Sequence, residues 1–148
     1  MPSAERSITI SRPVDAVFAF VADGAIAKRW RPAVLDVERV GGSGLKATYR
    51  QGVKGPGGRR IAADYEVYDV EPNRRIAFRA IAGPVRPTGE YRFEATPDGT
   101  QVTFSLTAQL GWLKGLLIGR SVQASMDAEM AALDNLKKIL EEEAEADA

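Results

Sequence analysis

Residues 89–109 read GEYRFEATPDGTQVTFSLTAQ. From Gly89 to Thr96, Tyr91, Phe93 and Ala95 share one phase, while Glu90, Arg92 and Glu94 share the other. Pro97-Asp98-Gly99-Thr100 has the composition of a turn. From Gln101 to Gln109 the alternation resumes, with Val102, Phe104 and Leu106 set against Thr103, Ser105 and Thr107. A period of two with one apolar phase marks strands that are buried on one face and wet on the other. That is the habit of an antiparallel sheet.

Downstream the period changes. After Gly119, Val122, Met126, Met130, Leu133, Leu136 and Leu140 recur at three- and four-residue steps, the signature of a long helix with one apolar face. The acidic tail from Glu141 to Ala148 is expected to fray.

Upstream, strands are expected at Val34–Val40, Leu45–Gln51, Arg60–Glu71 and Arg75–Ile81, separated by turns rich in glycine and proline. In the third of these Val70 falls out of phase with Ala63, Tyr65 and Val67, so a bulge is expected near Tyr68 or Asp69. Ser7–Ile10 makes a first strand. Two short helices follow it, one opened by Pro13 with Val14, Val17, Phe18 and Val21 on one face, the other over Ala25–Trp30 and stopped by Arg31-Pro32. The order is thus strand, two short helices, six strands, long helix. The fold expected is α+β, with a curved seven-stranded antiparallel sheet whose apolar face is covered by the C-terminal helix. One domain is expected over residues 1–148.

Composition narrows the function. Twenty basic and twenty acidic residues cancel, which argues against a general nucleic-acid binder. The chain has no cysteine and no histidine, so thiolate or Ser-His-Asp nucleophiles and Cys- or His-ligated metals are excluded. No metal and no cofactor are expected, and Gly55-Pro56-Gly57-Gly58 lacks the Lys-Ser/Thr of a phosphate loop. With no apolar run of membrane-spanning length and no signal core, a cytoplasmic location is expected.

The element order, together with Ile8–Phe18, Trp30-Arg31-Pro32-Ala33-Val34, Val67–Phe78 with its Glu71-Pro72-Asn73-Arg74-Arg75 turn, and Leu133–Glu141, resembles the START-like or Bet v 1-like (SRPBCC) superfamily. Within it, the chain looks like the polyketide cyclase/dehydrase-type lipid-binding branch. The resemblance implies a helix-grip fold with a cavity between sheet and last helix. It also implies binding or transport of lipids, sterols or polyketides, with cyclisation or dehydration in a minority of members.

Inward residues expected to line such a cavity are Tyr49, Tyr65, Phe78, Tyr91, Phe93, Phe104, Met126 and Met130; each reads equally as ordinary core. The resemblance places Trp30 near the pocket entrance, and a core plug is the alternative. Glu129 sits among apolar helix positions and is an acid/base candidate if it faces the trough, with Tyr65 beside it; a carboxylate at the solvent boundary is the plainer reading. Lys28, Arg29 and Arg31 suggest an anion-friendly rim or plain surface charge, and Arg59-Arg60 and Arg74-Arg75 read as solvated turns. The segment from Gly111 to Gly119 fits either a flap over the pocket or the start of the long helix packed on the sheet. Three functions follow: a binding module for a small hydrophobic ligand, a metal-free cyclase/dehydrase, or an interaction domain that dimerises through Trp112–Ile118.

Overall fold

A computed structural model describes residues 2–147. Eight strands form one antiparallel sheet: β1 (Ser3–Ile10), β2 (Val34–Ser43), β3 (Lys46–Lys54), β4 (Arg60–Ala62), β5 (Tyr65–Glu71), β6 (Arg75–Ala80), β7 (Thr88–Thr96) and β8 (Gly99–Thr107). The spatial order is β1-β8-β7-β6-β5-β3-β2, with the short β4 pairing β3. Helix α1 (Val14–Ala22) and a 3-10 helix (Gly24–Arg29) lie between β1 and β2, and α2 (Trp112–Ala131) and α3 (Leu133–Asp147) close the chain. The alternation and the long apolar helix imply this covered sheet, and the resemblance implies its helix-grip arrangement.

The alternating phases fall where expected. Tyr91 pairs with Phe104 and Phe93 with Val102, all four buried, while Glu90 and Arg92 face solvent. On that wet face Arg75 binds Glu90 at 2.6 Å and Asp69 at 2.5 Å, and Arg79 binds Glu66 at 2.6 Å. Arg75 is therefore a paired strand residue and not the solvated turn residue expected of it. Such exposed pairs stabilise by about 1 kcal/mol at most; they mark the solvent side of the sheet.

The register of β5 against β6 shifts between Val67 and Asp69, the bulge that the phase error of Val70 demands. The expected strand Arg60–Glu71 is broken a second time, at Ala63-Asp64. There the Gln51 amide donates to Asp64 Oδ1 at 3.2 Å and the Ala63 amide donates to the Gln51 carbonyl at 2.8 Å. A side chain thus replaces one ladder bond, and the strand splits into β4 and β5. Arg60 crosses β3 above Gly52, where any Cβ would collide with its guanidinium, and grips Asp36 on β2 with two 2.8 Å bonds. It too is a paired strand residue.

Strand β1 begins at Ser3, four residues before the expected start. Its added length carries Arg6 in the inward phase, a position that reads as polar. The side chain reaches across to the helices, donating to the Met130 carbonyl at 3.1 Å and to Asp134 at 2.6 Å. The arm divides into α2 and α3 at Ala132, where the backbone stays helical and the amide still donates to the Ala128 carbonyl at 3.2 Å.

Further bonds run along the same seam: Gln123 with Ser3, Lys137 with the Thr9 carbonyl, Arg12 with the Leu140 carbonyl, and the Ser11 amide with Glu141. The helical arm therefore runs alongside β1 in the same direction, with Leu133, Leu136 and Leu140 fully buried on the sheet. Helix α3 continues through the acidic tail to Asp147; Ala148 lies outside the described residues.

Glu141 ties this seam to pH. The Lys137 ammonium, then the Ser11 amide, hold its carboxyl below the ordinary 4.5. A depressed carboxyl contributes stability above its unfolded-state pKa and loses it as pH falls through the lower folded value. Acid unfolding should therefore steepen below about pH 4.5, and Glu141→Gln should flatten that part of the curve while leaving neutral-pH slopes unchanged. Denaturant midpoints measured across pH check both.

Candidate functional site

Rings line the trough between sheet and helices and touch one another. Tyr49 stacks on Tyr65 at 5.0 Å, Tyr65 meets Phe78 edge-on at 5.8 Å, Phe78 meets Tyr91 at 5.9 Å, and Tyr91 stacks on Phe104 at 4.2 Å. Gly89 makes this possible. A Cβ there would stand 2.6 Å from Phe78 and 2.7 Å from Leu106, so the missing side chain leaves space that those two fill.

Trp30 is 3% exposed and packs edge-on against Tyr91. Phe93 pairs with Phe18 of α1 at 5.3 Å, apart from the chain of rings. Met126 and Met130 are buried on the helix side of the same core.

Two clefts, of about 200 and 530 Å³, open on the solvent face of the sheet, around Tyr68 and Glu90 and around Arg74 and Glu94. Neither lies between sheet and helix. Side-chain phase identifies which residues point inward, but it says nothing about whether their summed volume fills the gap.

One polar cluster interrupts the rings. Arg31, expected at a surface rim, turns inward: its Nε donates to Glu129 at 2.7 Å and its Nη1 donates to Gln51 at 3.0 Å, with side chains only 15% and 14% exposed for Arg31 and Glu129. Burial works against the guanidinium's charge, but the Glu129 carboxylate, together with Tyr91 and Tyr65, offsets it and raises Arg31 above the ordinary arginine value. Glu129 is thus a paired anion, not a lone acid facing the trough.

Gln51, itself buried, passes its amide on to the Ala63 carbonyl at 3.2 Å. Sequence reasoning missed Arg31 and Gln51 as interior residues. The signal for Gln51 was present, since it shares the inward phase with Ala47 and Tyr49 on β3.

The tyrosines border this cluster. The Tyr49 hydroxyl accepts the Gly24 amide at 3.2 Å, and Gly24 has to be glycine because a Cβ would collide with the Tyr65 hydroxyl. The Tyr65 and Tyr91 hydroxyls take no part in the bonds that join Arg31, Glu129 and Gln51. Burial pushes both hydroxyls well above the ordinary 10, with the nearby Arg31 charge opposing only in part. At neutral pH they are protonated donors.

The segment from Gly111 to Gly119, read either as a flap or as the start of the long helix, is the first half of α2. It is helical, as one reading had it, but it does not lie packed on the sheet. At Gly111 and Gly119 an added Cβ would meet nothing within 4 Å, and at Gly115 only Leu110 at 4.0 Å. Trp112, Leu113, Leu116 and Leu117 are exposed.

This architecture is shared with solved structures. A protein from Thermus thermophilus, TTHA0849, is 22% identical, with 93% of this chain and 95% of that one covered at a TM-score of 0.79. A START superfamily protein from Mycobacterium smegmatis is 14% identical over 93% and 98% at 0.76. The Zhui aromatase/cyclase from Streptomyces sp. R1128 is 19% identical over 92% of each chain at 0.69. At these identities the likeness establishes the fold. Sequence comparison with curated proteins finds no match. The family model for polyketide cyclase/dehydrase and lipid transport matches residues 1–141, nearly the whole of the sheet and helical arm just described, and the chain belongs to that family.

Proposed function

We propose that the chain binds a small hydrophobic molecule carrying a carbonyl or anionic oxygen, seated among the trough aromatics with that oxygen on Arg31. The observation that carries this reading is the Arg31–Glu129–Gln51 cluster set inside an otherwise aromatic interior. A buried ion pair is no more stabilising than a well-packed apolar replacement, so stability alone gives little reason for it. Arg31 spends Nε and Nη1 on the protein, leaving Nη2 outside those bonds. The protonated Tyr65 and Tyr91 hydroxyls supply further donors of the kind an oxygen needs.

Because the rings that line the trough touch one another, entry requires some of them to yield, and the first half of α2 is the segment built to move. Gly115 and Gly119 each cost a helix about 1 kcal/mol relative to alanine, and they sit over open space instead of packed side chains. Segments with few buried contacts open first. Partly buried Phe78 and Tyr65 are the rings able to yield behind it. The same chemistry favours binding over turnover: Glu129 is held by a cation, and neither tyrosine is a base at neutral pH.

Mass spectrometry of gently purified protein, with a thermal-shift screen of fatty acids, sterols and aromatic ketones, tests the reading. Ligands with an oxygen head should stabilise the protein, and Gly115→Ala/Gly119→Ala should slow their association several-fold. No stabilisation by any compound of these classes would overturn it.

A further inference from the structure

The four large apolar side chains at the start of α2 are uncovered: Trp112 is 79% exposed, Leu113 57%, and Leu116 and Leu117 76% each. At 3.6 residues per turn they fall within an arc of about 140°. The charges around them are of one sign. No acidic residue occurs from Gly99 to Met126, where the charged residues are Lys114 and Arg120. The neighbouring β6–β7 loop, which Lys114 touches through the Pro84 carbonyl, adds Arg86 and the exposed Ile81. In a chain of zero net charge, this end is basic and greasy while the far end of α3 carries Glu141, Glu142, Glu143 and Glu145.

We infer that this face docks on an anionic lipid bilayer surface, with Trp112, Leu113, Leu116 and Leu117 entering the interface and Lys114, Arg120 and Arg86 meeting the headgroups. Trp and Leu on one side of a helix bordered by Lys and Arg is the composition that lies in a membrane interface. A second copy of the chain fits worse. Pairing two such faces would set Lys114 and Arg120 of both copies together with no carboxylate in either segment. No described helix is long and apolar enough to cross a membrane, so the contact is peripheral. This surface stands on its own exposure and charge, whether or not the trough admits a guest.

Flotation of the full chain with phosphatidylglycerol/phosphatidylcholine vesicles, compared with phosphatidylcholine alone, tests it. Binding is expected to the anionic vesicles, weakened by high salt, with a blue shift of tryptophan emission. That shift reports Trp112, because Trp30 is already 3% exposed. Leu116→Glu/Leu117→Glu, both at exposed positions, should lower partitioning by on the order of a hundredfold with unchanged circular dichroism. Lys114→Gln and Arg120→Gln should each lower it about fivefold. Absence of vesicle binding at low salt, equal binding to neutral vesicles, or binding indifferent to Leu116→Glu/Leu117→Glu would each overturn the inference. A dimer by light scattering that the double glutamate variant makes monomeric, without vesicle binding, would instead assign the face to a second copy.

Discussion

Phe104→Ala is expected to lower the unfolding free energy by about 4 kcal/mol, the cost of removing a fully packed aromatic ring and leaving a cavity. Phe104 is 2% exposed and stacked on Tyr91 at 4.2 Å, so its loss strips one face of the ring that borders Arg31. For a chain of this length the thermal midpoint should fall by roughly 12 °C, at about 3 °C per kcal/mol. The cavity lies in the middle of the trough, so a small aromatic should recover part of the loss. A ligand present at a hundred times its Kd restores about 2.7 kcal/mol. Calorimetry of the variant with and without naphthalene-sized compounds reads both effects. A loss under about 1 kcal/mol would mean that Phe104 is not the packed centre described here.

Glu129→Gln is expected to cost about 3 kcal/mol, because it leaves the Arg31 charge buried without its anion. The double variant Arg31→Met/Glu129→Leu removes both charges and fills their volume, and should return to within about 1 kcal/mol of the parent. That pair of results separates stability from function. The double variant is folded yet lacks the guanidinium, so ligands with an oxygen head should no longer stabilise it. Denaturant titrations of Arg31→Met, Glu129→Leu and the double variant complete the thermodynamic cycle. Equal loss in the double variant would mean that the pair holds the fold for reasons other than charge compensation.

The sheet could be read from the chain because its signal is local. Tyr91, Phe93, Phe104 and Leu106 announce their face by alternation, and the misplaced Val70 announced the bulge at Tyr68. Features that depend on distant partners were not legible. Arg6 looked like an end to β1 because Met130 and Asp134, which satisfy it, lie more than a hundred residues on. Arg31 and Glu129, 98 positions apart, each looked like surface charge until folding brought them together. The split between β4 and β5 turns on one bond from Gln51 to Asp64, which no propensity encodes. Glycines at 111, 115 and 119 masked the true start of α2 at Trp112, since glycine is a poor helix former wherever it sits. Of the candidate site, the aromatics pointed inward as read, but their mutual contact is a matter of volume rather than phase.

The most direct test of the account is a titration of the intact chain with anthracene carboxylate, followed by two-dimensional amide NMR. Saturable shifts are expected at Arg31, Tyr65, Tyr91, Met126 and Glu129 and along the first half of α2, and they should vanish in Arg31→Met/Glu129→Leu. Shifts confined to the outer face of the sheet or to Trp112–Leu117, or no saturable shift at all, would contradict a guest held between sheet and helix.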